Sequence, residues 1–193
     1  MSVHVNDITG FVMAGGESRR FGRDKRLLEI DGSSLLDRSR RLLFEFLGEE
    51  PFLVGDNLDA INTGAARIIR DAKPGCGPAG GLVSVLKTSP TPWALVLAVD
   101  LPNLGIPDLE RLAAHTPFGF DVITLSLSGN PEPLAALYHR QTAGFWTERL
   151  EHGELELVDG IRKLSWKPVI VPQGTRTLDN INSPLDLHRA NGD

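Results

Sequence analysis

Short apolar runs alternate with amphipathic segments along most of this chain. Seven runs have the length and composition of buried strands, and they cover Ile8–Met13, Pro51–Val54, Arg67–Arg70, Trp93–Val99, Asp121–Leu125, Leu134–Tyr138 and Val169–Val171. Five segments have helical periodicity, and they cover Leu35–Phe46, Ala79–Leu86, Pro107–His115, Thr142–Glu151 and Pro184–Ala190. This alternation predicts an α/β fold with three α/β/α layers and a mostly parallel central sheet, in which ligands bind at the carboxyl ends of the strands.

The composition is typical of a globular protein. The chain has 193 residues, of which 41% are hydrophobic and 23% are charged, and its formal net charge is −5. This size predicts a single domain over residues 1–193, and the negative charge argues against a general nucleic-acid-binding role. The single cysteine, Cys76, excludes an internal disulfide, and no apolar run reaches membrane-spanning length. We therefore expect a cytoplasmic protein that binds neither nucleic acid nor membrane.

The segment after the first strand is the strongest indication of chemistry. The apolar run Ile8–Ala14 ends in Gly15 and Gly16, and four cations follow within seven positions: Arg19, Arg20, Arg23 and Lys25. Glycines directly after a strand allow backbone N–H groups to approach a ligand that a Cβ atom would exclude. Guanidinium and ammonium groups beside them donate charge-assisted hydrogen bonds to phosphate. The pattern predicts a pocket for a polyphosphate, and therefore for a nucleotide.

Two common phosphate-binding loops do not match this segment. A P-loop requires G-x-x-x-x-G-K-[ST], whereas Gly16 and Gly22 are six residues apart and Gly22 is followed by Arg-Asp-Lys. The dinucleotide-binding pattern G-x-G-x-x-G also fails, because Gly15 and Gly16 are adjacent. The segment therefore belongs to a different class of nucleotide loop.

Two aspartates follow predicted strands and are candidates for ligand contacts. Asp100 ends the apolar run Trp93–Val99, where a carboxylate is costly to bury without a partner. A magnesium ion that bridges nucleotide phosphates is such a partner, and helix capping is the alternative role. Asp71 follows the run Arg67–Arg70 and precedes a turn-rich segment that opens a helix, so it either contacts a ligand or caps that turn.

Several ordered stretches carry a resemblance to a known family. Residues 13–25 are similar to the signature L-A-G-G-x-S-x-R-M-G-x-D-K of the nucleotidyltransferases that attach GMP to molybdopterin, with apolar exchanges at Met13 and Phe21. Asp100-Leu-Pro102 resembles the D-x-P metal motif of that family, and residues 178–187 resemble its N-x-N-T-P-x-[DE]-L motif. Since such blocks extend over nearly the whole chain, it is identified as a member of the molybdenum cofactor guanylyltransferase (MobA-like) family.

The resemblance implies a Rossmann-like nucleotidyltransferase fold and a Mg²⁺-dependent transfer of GMP from GTP to molybdopterin, with release of pyrophosphate. It implies a nucleotide half at about residues 1–105 and an acceptor half at about residues 106–193. Molybdoenzymes and other cofactor-biosynthesis proteins are candidate partners.

The residue roles that the resemblance implies fall into three groups. The nucleotide-binding residues are Met13, Ala14, Gly15, Gly16, Lys25, Asp71 and Asp100. The catalytic residues are Lys25 and Arg19, which neutralise the leaving pyrophosphate, and Asp100, which holds the metal. Asn180 and Asn182 lie on the molybdopterin side, where an ordinary capped helix entry is the alternative.

Other activities remain as alternatives at this point. A molybdopterin cytidylyltransferase resembles T-A-A-G-x-G in the loop, whereas this chain has Met-Ala-Gly-Gly-Glu-Ser. Another NTP transferase acting on a phosphorylated small molecule, such as a sugar-1-phosphate, would usually carry G-x-G-T-R. A non-catalytic nucleotide sensor would bind GTP without releasing pyrophosphate.

Overall fold

The computed structural model describes residues 5–15, 24–58, 61, 67–181 and 186–188. In chain order its strands are β1 Ile8–Met13, β2 Glu29–Ile30, β3 Ser33–Ser34, β4 Phe52–Val54, β5 Arg67–Ile69, β6 Trp93–Ala98, β7 Val122–Leu127, β8 Asn130–His139 and β9 Trp166–Ile170. Its α-helices are α1 Leu35–Leu47, α2 Pro78–Thr88, α3 Ile106–Ala113, α4 Ala143–Glu151 and α5 Leu157–Arg162. Of the helices in these segments, none is long and apolar enough to cross a membrane.

The central sheet of the described residues has seven strands in the order β5-β4-β1-β6-β8-β7-β9. The pairs β1–β4, β1–β6, β4–β5 and β7–β9 are parallel, and β8 runs antiparallel to both of its neighbours. The predicted mostly parallel sheet is therefore confirmed. Strands β4 and β6 lie on opposite sides of β1, so the strand order reverses direction at β1. A ligand-binding crevice is expected at the carboxyl ends of strands at such a point.

Helices cover both faces of the sheet. On one face, α1 and α3 bury leucines such as Leu35, Leu43, Leu109 and Leu112 against the sheet. On the other face, α2, α4 and α5 bury apolar side chains that include Leu82, Val85, Trp146 and Ile161. The predicted three-layer α/β/α arrangement is confirmed, and helices α1 to α4 bury the apolar residues that their periodicity indicated.

Local signals define the ends of the helices. The Ser34 hydroxyl accepts the N–H of Asp37 at the start of α1, and Gly48, with a φ of 75°, ends the helix in a left-handed conformation. Pro78 occupies the first turn of α2, where its missing N–H leaves no hydrogen bond unmade. These ends agree with the predicted boundaries to within two residues for α1 to α4.

Some elements differ from the prediction. The hairpin of β2 and β3 was not predicted, because strands of two residues are too short to show a period. Helix α5 was also missed, since six residues hold fewer than two helical turns. Strand β8 begins four residues earlier than predicted, at Asn130, and β9 begins three residues earlier, at Trp166. Of the predicted helix Pro184–Ala190, residues 186–188 are helical, and the remainder lies outside the described residues.

The first half of β8 is irregular. The register with β7 shifts between Thr124, which faces Ala136, and Ser126, which faces Pro131. Side chains hold this segment in place of ladder hydrogen bonds. The Tyr138 hydroxyl donates to the Pro133 carbonyl at 2.9 Å, and Glu132 Oε1 accepts the N–H of Leu134 at 3.2 Å.

Tyr138→Phe should destabilise the fold without changing its shape. The ring stays in its fully buried position, but the Pro133 carbonyl loses its donor, which costs on the order of 1 kcal/mol of unfolding free energy. Urea denaturation should show a lower midpoint with an unchanged m-value. Thr175→Val is the matched control, because its hydroxyl donates to the Pro172 carbonyl at an exposed position where water can replace it. Equal midpoints for Tyr138→Phe and the wild type would contradict the assigned role.

Candidate active site

A cavity of about 270 Å³ lies at the carboxyl ends of the central strands. It receives residues from the ends of β1, β4 and β6, from the start of α2 and from β8. The lining residues are Met13, Gly15, Lys25, Arg26, Val54, Asp71, Gly77, Pro78, Ala98, Val99, Asp100 and Leu134. Five of the residues that the sequence singled out for nucleotide contact therefore border one cavity: Met13, Gly15, Lys25, Asp71 and Asp100. Ala14 is buried next to them.

Backbone segments meet closely at the floor of this cavity. The Ala14 N–H donates to the Val54 carbonyl at 2.8 Å, which extends the pairing of β1 and β4 beyond the strands. Gly55 has a φ of 142°, and a Cβ atom on it would lie 2.6 Å from the Gly15 nitrogen. A Cβ on Gly81 would lie 2.4 Å from Met13 Cε. A larger residue at Gly55 would force the two backbones apart, whereas one at Gly81 would displace the end of the Met13 side chain.

Lys25 and Asp100 form an ion pair at the edge of the cavity. Lys25 lies in a short 3₁₀ turn, Lys25–Leu27, whereas Asp100 follows β6. The distance from Lys25 Nζ to Asp100 Oδ2 is 2.8 Å, and the two side chains are 17% and 25% exposed. The two residues with the strongest sequence signals, 75 positions apart, are thus in direct contact. Neither charge is left without a partner at this half-buried edge, where an isolated charge would be costly.

Asp71 lies at the opposite side of the cavity. Its Oδ1 is 3.1 Å from the position that a Cβ on Gly81 would occupy. Within the described part of the chain its carboxylate has no hydrogen-bond or ion-pair partner. Burial raises the pKa of Asp71, and the negative charge of Asp56 adds to this effect. The alternative role, capping the following turn, does not fit, because no backbone N–H of the described residues donates to the Asp71 carboxylate.

A second, polar cavity of about 240 Å³ lies next to Asp100. It is lined by Pro102, Asn103, Arg176, Asp179, Asn180, Ile181 and Asp186. The Ile181 N–H donates to the Asp100 carbonyl at 3.0 Å, so the segment that carries Asn180 is joined to the end of β6. Asn180 therefore lines a cavity adjacent to the first one. Gly16, Arg19 and Asn182, which the sequence also singled out, lie outside the described residues.

Two further residues at the site were not predicted. The Arg26 guanidinium lines the first cavity and donates to Asp24 and to two backbone carbonyls. Glu132 is half-buried, and Leu97 of β6 faces Ala135 of β8, so continuing this register brings Asp100 opposite Glu132. Burial raises the pKa of Glu132, the Leu134 N–H opposes that shift, and the Asp100 charge adds to it.

The described residues contain no group of three His, Cys, Asp or Glu side chains that could hold a metal ion. Asp100 therefore offers one carboxylate to a metal ion, and Glu132 is close enough for the Asp100 charge to raise its pKa. This donor set fits Mg²⁺ bound together with a nucleotide, because Mg²⁺ commonly takes one or two protein carboxylates and completes its shell with phosphates and water. It does not fit an ion held by protein ligands alone.

Comparisons with known proteins identify related sequences and a related fold. The family model of the MobA-like NTP transferase domain matches residues 10–165. A probable molybdenum cofactor guanylyltransferase of Chloroflexus aggregans is 34% identical over 97% of this chain and 94% of its own length. One from Opitutus terrae is 31% identical over 98% and 97%. The fold matches that of molybdopterin-guanine dinucleotide biosynthesis protein A from Archaeoglobus fulgidus, with a TM-score of 0.80, 23% identity and coverage of 95% and 97%.

Asp71→Asn should stabilise the free protein at neutral pH. Since the pKa in the folded state is raised above the ordinary 3.8, the Asp71 carboxylate lowers folding stability at neutral pH, and this cost disappears as the pH falls through the raised value. The variant should therefore have the higher Tm at pH 7, and the difference should shrink towards about pH 4.

Thermal unfolding followed by circular dichroism over this pH range measures the difference. Asp56→Asn is the matched comparison, because it relieves the repulsion but leaves the Asp71 burial cost, so its gain in Tm should be smaller. A lower Tm for Asp71→Asn at pH 7 would show that the carboxylate supports the fold.

Proposed function

We propose that this chain, which belongs to the MobA-like NTP transferase family, transfers GMP from GTP to molybdopterin and releases pyrophosphate. Family membership makes it a nucleotidyltransferase, and the names of the relatives in Chloroflexus aggregans and Opitutus terrae support the guanylyl and molybdopterin assignments. The observation that carries the proposal is the Lys25–Asp100 ion pair at the edge of a cavity that is also lined by glycine backbone. A cation for phosphate and a carboxylate for Mg²⁺ lie side by side there.

The nucleotide base and phosphates divide between the two sides of the first cavity. We assign the backbone of Met13, Ala14, Gly15 and Gly16 to the cradle around the nucleotide. Asp71 is a partly buried acceptor that has no partner among the residues that the structure describes, so its carboxylate favours a ligand with adjacent donors. Guanine offers N1–H and its exocyclic amine side by side, whereas cytosine and adenine place an acceptor next to their amine. Asp71 therefore provides a physical reason for GTP over CTP and ATP.

The transfer requires no covalent enzyme intermediate. A phosphate oxygen of the acceptor forms a bond to the α-phosphorus of GTP, and the bond from that phosphorus to the β-phosphate oxygen breaks, so that the electron pair leaves with pyrophosphate. Lys25, with Arg19, neutralises the charge that develops on the leaving group. Mg²⁺, when bound, would be held by the Asp100 carboxylate and would help to neutralise the same charge. Positioning and charge neutralisation thus account for the catalysis.

The acceptor is assigned to the second cavity. Asn180 lines it, and we place Asn182 on the same segment as a second contact to molybdopterin. The Ile181–Asp100 hydrogen bond connects this segment to the residue that faces Lys25. We further propose a single domain with a nucleotide half at about residues 1–105 and an acceptor half at about residues 106–193. We also propose a cytoplasmic location, with molybdoenzymes and other cofactor-biosynthesis proteins as candidate partners.

Pyrophosphate release is the direct test of the proposed reaction. With molybdopterin as acceptor, GTP should support Mg²⁺-dependent release, and CTP and ATP should be weaker substrates because they lack adjacent donors for Asp71. Chelation of Mg²⁺ should stop release. A preference for CTP would identify a cytidylyltransferase, and turnover with a sugar phosphate in place of molybdopterin would identify another NTP transferase. GTP binding without release of pyrophosphate would identify a sensor.

Asp100→Asn separates the metal role from a purely structural one. The amide keeps the size of the side chain but loses the negative charge that a hard cation requires, so turnover should fall by roughly 10²-fold or more. The Tm should also fall somewhat, because Lys25 loses a carboxylate partner at a mostly buried position, but the protein should remain folded at the assay temperature.

Asp108→Asn is the matched control for this substitution. The Asp108 carboxylate accepts the Gly105 N–H at the start of α3, a role that asparagine fills about equally well. Its turnover should stay near that of the wild type. If Asp100→Asn kept the turnover and the Mg²⁺ dependence of the wild type, the assignment of Asp100 as the metal ligand would be wrong.

A further inference from the structure

We infer that Arg26 is a positioning residue that sets the spacing of the two backbone segments at the floor of the nucleotide cavity, and that nucleotide affinity depends on its guanidinium fork. The inference rests on the proposed function for its ligand, an NTP. The role of Arg26 is not part of the proposed function, because the loop signature ends at Lys25 and assigns nothing to the next position.

The Arg26 side chain connects three segments. Its Nη1 donates to the Ala14 carbonyl at 3.3 Å, directly after β1, and to the Asp56 carbonyl at 3.2 Å, shortly after β4. Its Nε and Nη2 donate to the Asp24 carboxylate, at 2.8 Å to Oδ1 and 2.6 Å to Oδ2. The side chain is 14% exposed, so these bonds form in a largely desolvated setting. Three chain segments thus meet at one guanidinium group.

The position of Arg26 explains why such a connection is needed. The backbone pairing of β1 with β4 ends at the hydrogen bond from Ala14 N–H to the Val54 carbonyl. Beyond it, Gly55 passes so close to Gly15 that a Cβ atom on Gly55 would lie 2.6 Å from the Gly15 nitrogen, so Gly55 cannot carry a side chain that would hold the two segments together. The Arg26 fork supplies the next connection by bonding one carbonyl from each segment. Because Gly15 lines the cavity, the spacing that Arg26 sets is also the width of the floor.

Asp24 holds the fork in its orientation. A bidentate carboxylate fixes the plane of a guanidinium, which leaves Nη1 aimed at the two carbonyls. The hydrogen bond from Arg26 lowers the pKa of Asp24, against the effect of its burial, and so keeps the carboxylate charged. Lysine carries the same charge but cannot bond a carboxylate and two carbonyls with one planar group. The geometry of the side chain, and not only its charge, is therefore the property under test.

A direct contact between Arg26 and the phosphates is the competing role. Such a contact depends on charge, so lysine would preserve most of it. The bridging role predicts instead that Arg26→Lys and Arg26→Ala lose similar amounts of affinity. The bridging role also predicts that the backbone segments at Ala14 and Gly55 open more often in the free protein, without any bound nucleotide.

The experiment uses the full chain and two readouts. Hydrogen exchange in the free protein should be about tenfold faster at the Ala14 and Gly55 amides in Arg26→Lys, because their local opening is no longer opposed by the bridge. Calorimetry with Mg-GTP should show that the Kd of Arg26→Lys is raised by about tenfold. The rate of pyrophosphate release at saturating GTP should stay within about twofold of the wild-type kcat, because the Arg26 guanidinium positions the backbone of the cavity but leaves Lys25 and Asp100 in place.

Arg40→Lys is the matched control, because Arg40 also bonds two carboxylates, those of Asp37 and Glu50, at similar burial but on α1 away from the cavity. It should change neither readout. Asp24→Asn is a second variant that weakens the same bridge from the other side, and it decides the question if Arg26→Lys does not fold.

The outcomes distinguish this inference from the proposed function. Unchanged hydrogen exchange at the Ala14 and Gly55 amides in Arg26→Lys or Asp24→Asn would overturn the proposed bridging role, whatever the affinity for GTP. Normal GTP affinity in Arg26→Lys with weak binding in Arg26→Ala also overturns it, in favour of a direct charge contact. If the wild type binds no NTP, the proposed function fails, but faster exchange in the variants still supports the bridge.

Discussion

The parallel pairing of β1 with strands on both sides is the constraint on which the site depends. Met13 faces Val54 of β4 and Ala98 of β6, so three strands end at the same level. Whatever follows these strands in sequence must share one edge of the sheet. This brings Gly15, Gly55 and Asp100 together although they are far apart in the chain. The parallel β5 adds Asp71 to the same edge. The chemistry is thus a consequence of strand register.

Strands buried on both faces were predictable because they read as continuous apolar runs. β1 was predicted to the residue, and β4 and β6 to within one residue at each end, as was the edge strand β5, which is only partly buried. The antiparallel insertion of β8 between β6 and β7 was not predictable in the same way. An apolar run carries no information about which neighbours it pairs with or in which direction. The irregular start of β8, which contains Pro131 and Pro133, further hid its true length.

The same distinction explains which site residues the sequence revealed. Lys25, Asp71 and Asp100 each stand next to an element end, where a charged residue is conspicuous, and all three line the cavity. Arg26 stands beside Lys25 in a basic segment, and its contacts to the Ala14 and Asp56 carbonyls follow from the packing of separate segments. Glu132 comes near Asp100 only through the register of β8 with β6. Roles that arise from pairing and packing leave no pattern along the chain.

Charge balance at the site gives a physical reason for a divalent cation in the proposed reaction. The cavity is lined by Lys25 and Arg26, but Lys25 faces Asp100 and Arg26 faces Asp24, so each already has a carboxylate partner. Asp71 and Glu132 add acidic groups whose raised pKa values reflect burial and neighbouring acids. A bare nucleotide polyphosphate would meet repulsion from these acids. In the proposed reaction, Asp100 would hold the Mg²⁺ that arrives with the nucleotide and Lys25 would become available to the phosphates, so neither charge would be left without a partner.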